Sequence, residues 1–173
     1  MFCPECGKEI EENVNFCMYC GFKLIPSEQL STEQLIHNVL IRRIEGIKNR
    51  NPDAVSGVVI RDKYSKFDDW PPFELQETDG LANEAKALKS LKEYEYETRS
   101  WKVTVFDDSA IATFIIKYRG TIRDLNFIVQ SRVTAFLVKQ DGEWKLVHEH
   151  WSRIPPPGMA EQQKEGKNGP ILV

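Results

Sequence analysis

Every cysteine of the chain falls within its first twenty residues, as Cys3-Pro4-Glu5-Cys6 and Cys17-Met18-Tyr19-Cys20, and each pair is followed by a glycine, Gly7 or Gly21. Two thiolates separated by two residues can face one ion because the intervening turn folds back, and the glycine behind them lets backbone amides approach the sulfurs. Two such knuckles complete a tetrahedral shell. The spacing therefore predicts one zinc ion per chain, held by Cys3, Cys6, Cys17 and Cys20. Four protein sulfurs leave no position for water or substrate, so this zinc is expected to be structural. Residues 1–24 bury too little to fold alone, and metal binding, on the order of 10–16 kcal/mol in comparable peptides, must provide most of their stability. The alternative is a pair of disulfides in a secreted module. Met1-Phe2-Cys3 begins neither a basic stretch nor an apolar run, and no apolar run reaches membrane-spanning length. A reducing cytoplasm is the expected location.

The pattern FCPECG, a spacer, then FCMYCG looks like the short zinc ribbon at the start of many bacterial and archaeal proteins, over residues 1–24. Its charge narrows its role. Glu5, Glu9, Glu11 and Glu12 stand against Lys8 and Lys23, and four thiolates around a divalent ion add more negative charge. Phosphate backbones need a positive surface, so nucleic acid is not the expected partner and docking to a protein is. The whole chain, with a formal net charge of −3, shows neither a nucleic-acid nor an anionic-membrane surface.

Residues 25–31 read as a linker around Ile25-Pro26-Ser27, and residues 155–173, opening Pro155-Pro156-Pro157-Gly158 and continuing polar and aperiodic, read as a flexible tail. Between them, helices come first. Ser31-Thr32-Glu33-Gln34 is a capping box, after which Ile36, Val39, Leu40, Ile44 and Ile47 recur at helical spacing. Asn51-Pro52 opens a second, short helix, and Leu81, Ala85, Leu88 and Leu91 form the stripe of a third. Four extended segments follow, Glu95 to Phe106, Ala110 to Arg119, Phe127 to Lys139 and Trp144 to Arg153, with a polar crossing from Gly120 to Asn126 and a tight Asp141-Gly142 turn. The expectation is an α+β fold, an antiparallel meander with helices on one side. Ala110 to Ile116 and Val133 to Val138 are apolar on both faces, whereas three helices can cover only one. A second copy of the chain, giving a homodimer through the sheet, is the expected cover, the alternative being a sheet curled tightly on itself.

The run Ser131 to Leu137, followed by Asp141-Gly142-Glu143-Trp144-Lys145-Leu146-Val147-His148-Glu149-His150-Trp151-Ser152, resembles the last hairpin of SnoaL-like domains in the nuclear transport factor 2-like superfamily, and the resemblance extends over residues 32–154. It implies a cone-shaped fold in which a curved antiparallel sheet wraps helices around an apolar cavity, with sheet backs that commonly pair into dimers. The superfamily includes ketosteroid isomerase, dehydratases, cyclases and the association domain of calcium/calmodulin-dependent kinase, among which fold alone does not choose.

Isomerase chemistry needs a carboxylate base and an oxyanion donor in a dry cavity. The resemblance puts Arg43 where the isomerase tyrosine would be and puts the base near Phe67 to Asp69, so Asp68 or Asp69 fits only after a shift. The association domain's pocket arginine corresponds to Arg132, and its second arginine to Trp151. Arg132 could clamp a small carboxylate, the alternative being an ion pair with Glu149 on the adjacent strand. On that reading Arg132, Glu149 and Trp151 belong to the cavity, Trp70 of Trp70-Pro71-Pro72-Phe73 lies at its mouth, and His148 and His150 face the sheet back. Tyr64 and Phe67 could belong either to this lid or to a surface cluster. His37 reads as a surface residue. The function expected is a small-molecule-binding or association module whose zinc ribbon docks to a partner. The competing reading is an isomerase, dehydratase or cyclase using a carboxylate near Asp69 or Glu149.

Overall fold

The computed structural model describes residues 3, 6–11, 14, 17–20 and 30–155. The expected linker and tail lie almost entirely outside them. Two helices open the larger domain, α1 (Thr32–Lys48) and α2 (Pro52–Ser56). The capping box forms as read: the Gln34 amide donates to Ser31 Oγ (3.3 Å) and the Ser31 amide to Gln34 Oε1 (2.8 Å). Two short strands, β1 (Ser65–Phe67) and β2 (Leu75–Gln76), come before helix α3 (Thr78–Leu88) and four long strands, β3 (Leu91–Phe106), β4 (Ser109–Ile122), β5 (Leu125–Gln140) and β6 (Glu143–Arg153).

These strands form one six-stranded sheet in the order β2-β1-β6-β5-β4-β3, antiparallel throughout except that β1 runs parallel to β6. The fold is the expected α+β arrangement. Leu91 belongs to β3 rather than to α3, because it pairs with Ile122 at the start of the β3–β4 ladder. The polar crossing from Gly120 to Asn126 is a continuous hairpin whose strands run to Ile122 and from Leu125. Asp141 and Gly142 both have positive φ (53° and 83°), the conformation that a two-residue hairpin requires.

The core lies between α1 and the inner sheet face. Ile36, Leu40 and Ile44 are buried against Phe114, Val133 and Leu146, each such side chain contributing on the order of 1.5–3 kcal/mol. His37, read as a surface residue, is half-buried with its ring 4.4 Å from that of Trp101, and burial lowers its pKa.

The last strand carries the irregularity that matters most. The β5–β6 register shifts between Phe136 and Leu137, which pair with His148 and Leu146, so Val147 is the extra residue of a β-bulge. Trp144 and Leu146 before it, and Glu149 and Trp151 after it, consequently share the inner face, while His148, His150 and Ser152 take the outer one. Unbroken alternation would instead have grouped Trp144 and Leu146 with the histidines.

Candidate functional site

At one end of the core, α1, α3, the segment Lys66 to Gln76 and the inner sheet face enclose a cavity of about 270 Å³, at the small end of ligand pockets. Its polar floor is a buried ion network. Arg43 occupies a position within the apolar stripe of α1, 2 % exposed. Its Nε donates to Glu149 Oε1 (2.8 Å), and its Nη2 reaches the same oxygen, Glu84 Oε2 (3.0 Å) and the Tyr64 hydroxyl (2.8 Å). Glu149 also accepts from Tyr64 and, through Oε2, from the Trp151 indole N–H (3.1 Å). Lys66 Nζ completes the network with Asp68 (2.6 Å) and Glu84 (3.3 Å).

Burial works to raise the pKa of Glu149, but the Arg43 charge, with further help from Lys66 and Tyr64, outweighs it and holds this carboxyl at about 2. Burial lowers that of Arg43, and Glu149 and Glu84 reverse the effect, leaving the guanidinium more firmly charged than usual. Asp68 is raised by burial despite Lys66. Tyr64 and Tyr118 are raised by burial and by the carboxylates they serve, so both hydroxyls stay protonated as donors.

A second polar group lies outside the ion pairs formed among the described residues. Asp69, also buried, accepts at Oδ2 from the Tyr118 hydroxyl (2.7 Å) and from Ser131 Oγ, while the Trp70 indole donates to the Tyr118 oxygen (2.8 Å). Around it the wall is aromatic. Trp70 meets Phe127 edge-on with centroids 5.2 Å apart, and Tyr118 stacks on Tyr94 at 5.5 Å. Exposed Pro71, Asn83 and Ala87 mark the mouth. The guanidinium of Arg153 lies 5.2 Å from the Trp70 ring centroid and 5.9 Å from that of Phe73.

Of the side chains read from the sequence, the cavity gathers Trp70, Glu149 and Trp151, together with Asp68 and Asp69. Arg132 is elsewhere: it pairs across the sheet with Ser152, is exposed on the outer face, and donates to Ser152 Oγ (3.4 Å). The cavity-wall assignment of Arg132 is therefore corrected, and so is its alternative pairing with Glu149, whose cationic partners lie on α1 and β1. His148 shares a hydrogen bond with Ser65 Oγ (2.8 Å), and Phe67 lies between the two histidines on the outer face, not in the lid. Tyr64 is buried in the network. Lys66, Glu84, Tyr94, Tyr118, Phe127 and Ser131 escaped sequence reading. A charged residue amid the apolar stripe of α1 was the one local sign of a buried partner.

In the N-terminal segment, one sulfur from each of the four cysteines comes within 4.8 Å of every other. Cys3 and Cys20 are separated by 3.6 Å, as are Cys6 and Cys17, close to the ~3.8 Å edge of a tetrahedron with metal–sulfur bonds of about 2.3 Å. None is in a disulfide. Gly7 has a φ of 66°, and its amide donates to the Cys3 carbonyl, closing the first knuckle. Burial works to raise the Cys17 thiol, but donation from the Tyr19 and Cys20 amides and the neighbouring thiols brings it to about 6. The cluster fits a soft divalent ion in a closed tetrahedral shell.

A curled sheet wrapped on helices, with a cavity at one end, defines the class of nuclear transport factor 2-like domains. The chain belongs to the SnoaL-like domain family, whose model matches residues 36–157, and a zinc-ribbon domain model matches residues 2–24. No curated protein matches in sequence. Among solved structures, the chain is similar to a nuclear transport factor 2-like superfamily protein from Salmonella enterica (TM-score 0.64, 16% identity, covering 75% of this chain and 95% of that one). It is also similar to an Exiguobacterium sibiricum protein assigned as a calcium/calmodulin-dependent kinase II association domain (TM-score 0.63, 15% identity, 74% and 98%). A third is a Novosphingobium aromaticivorans protein assigned as a scytalone dehydratase (TM-score 0.63, 12% identity, 70% and 83%). At these identities the likeness is one of fold. Among the described residues, no helix is long and apolar enough to cross a membrane.

Proposed function

We propose that this protein is a small-molecule-binding and self-associating module of the reducing cytoplasm, carrying one structural zinc ion per chain in a ribbon that docks to a protein partner. The observation behind the binding reading is the direction of the cavity's polar groups. Glu149 is saturated by Arg43, Tyr64 and Trp151, and Asp69 holds the hydroxyls of Tyr118 and Ser131. Isomerase or dehydratase chemistry needs a carboxylate and a proton donor converging on one substrate atom. Here the Tyr64 and Tyr118 hydroxyls are directed at carboxylates, and the resemblance puts Arg43 where the isomerase tyrosine would be. Binding within a preformed, largely apolar space needs no such convergence.

Self-association is supported by the outer sheet face. Ile111 and Phe136, cross-strand partners, are 41% and 36% exposed, and Phe67, beside His148 and His150, is 39% exposed. A second copy meeting the same patch would cover all three in a two-fold interface. The zinc assignment rests on the closed four-sulfur cluster and on the ribbon's match to its family model.

Titration with a series of small aromatic molecules, followed through tryptophan fluorescence, tests the binding reading. Saturable quenching is expected from Trp70 and Trp151, and Ala87→Phe at the mouth should abolish it. No saturable response anywhere in the series, or an Ala87→Phe variant that binds as well as the parent, would sink the reading.

A further inference from the structure

The cavity wall holds four carboxyl groups, Asp68, Asp69, Glu84 and Glu149, against two cations, Arg43 and Lys66. Protonation of Asp68 would still leave an excess of one negative charge. Both cations are already bridged between two carboxylates each, Arg43 to Glu149 and Glu84, and Lys66 to Asp68 and Glu84. The unmatched charge lies at Asp69. Only 4 % of this residue is exposed, and no cation among the described residues comes within ion-pair distance. Both of its hydroxyl donors reach Oδ2. No donor among the described residues reaches Oδ1, and because every sealed side-chain polar atom among those residues has a partner, Oδ1 is not sealed, in a residue that lines the cavity.

What surrounds that oxygen selects the sign of its partner. Tyr118, whose hydroxyl holds Asp69, is the centre of a continuous aromatic surface with Tyr94 at 5.5 Å, Phe127 at 5.9 Å and Trp151 at 6.3 Å, and Trp70 closes it against Phe127. Faces of aromatic rings attract cations, tryptophan most strongly, and recognition of ammonium groups is the established use of such cages. Trp70 already attracts one: Arg153, which is exposed and does not line the cavity, lies over its ring. A buried carboxylate without a counter-charge is costly, and a ligand that brings the charge removes the cost. The geometry points to a small organic ammonium ion as the ligand class, its charge on Asp69 and its alkyl groups against Trp70, Tyr94, Tyr118, Phe127 and Trp151. This rests on the cavity being a binding site, and it replaces the carboxylate ligand expected from Arg132.

The test uses the full chain in calorimetry with three probes of one shape: choline, its uncharged isostere neohexanol, and the isosteric anion tert-butylacetate. Choline is expected to bind roughly tenfold or more tighter than neohexanol, with the anion weakest. Asp69→Asn, which keeps an acceptor for Tyr118 and Ser131, should reduce choline to the level of neohexanol and leave neohexanol unchanged. Should that variant not fold, the three-way comparison on the parent protein still decides. Neohexanol or tert-butylacetate binding as tightly as choline overturns the ammonium assignment and leaves the cavity reading standing. So does silence from all three probes while the aromatic series still binds. Silence from both series removes the cavity reading itself, and this assignment with it.

Discussion

Arg43 and Glu149 depend on one another, because neither charge could be buried without the other. Arg43→Met would leave Glu149 charged in a dry site and should cost roughly 3–5 kcal/mol in a denaturant titration, the usual effect of removing one partner of a buried pair. Glu149 also gives stability a defined dependence on pH. Its carboxyl is held at about 2 in the folded protein, below the ~4.3 of an unfolded chain. The resulting stabilisation, of order 3 kcal/mol, is fully present above about pH 4.3 and disappears as pH falls through about 2. Asp68, raised by burial, acts in the opposite sense. Glu149→Gln should therefore flatten the acid limb of the stability curve, and an unchanged limb would contradict this account. Arg132→Ala, by contrast, removes an exposed side chain with one long hydrogen bond, and should change stability by no more than about 0.5 kcal/mol.

At the level of elements, what could be read from the sequence was whatever local chemistry determines. The capping box, the Asp141-Gly142 hairpin and the cysteine knuckles each rest on a few adjacent residues, and each is where it was expected. Trp70, Glu149 and Trp151, which the sequence reading assigned to the cavity, line it, Trp151 having been assigned through likeness to a known hairpin and Trp70 through its position on a loop. Arg132 was assigned to the cavity through likeness to a pocket arginine of the association domain, and that likeness did not reveal the bulge: an unshifted hairpin would pair Arg132 with Trp151, whereas the shift pairs it with Ser152 on the outer face. The ion network escaped for a different reason: its members come from α1, α3, β1, β6 and the residues flanking β1, so apart from Lys66 and Asp68 no short window of sequence contains two opposite charges that meet there. The bulge itself is testable. Deleting one residue from a strand ordinarily turns every later side chain to the other face. Deleting Val147 should not, since Leu146 and Glu149 would then alternate regularly with their pairings to Leu137 and Ala135 intact. A folded deletion variant with the near-ultraviolet dichroism of the parent is expected, and an unfolded one would show that the bulge is needed for sheet curvature.

For the whole molecule, the ribbon and the larger domain are predicted to come apart energetically. Chelation should melt residues 1–24 and leave the cooperative unfolding of residues 32–154 in place, as judged by calorimetry with and without a strong chelator. Light scattering at micromolar concentration should give twice the chain mass, and Phe136→Glu, which puts a charge in the middle of the proposed seam, should halve it. The order of the sheet has a further consequence, for how the chain folds as it is made. β1 and β2 are completed early in synthesis yet have only each other to pair with, because β2 is the sheet edge and the other neighbour of β1 is β6, the last of the six strands. Arg43 likewise waits across a separation of 106 residues for Glu149. A nascent chain that has not yet delivered its final hairpin therefore has an Arg43 left with Glu84 and Tyr64 but without Glu149, and a two-stranded fragment too short to persist. Closure of the cavity must wait for β6, and until then the N-terminal third of the domain is the part most exposed to proteases and most in need of a chaperone.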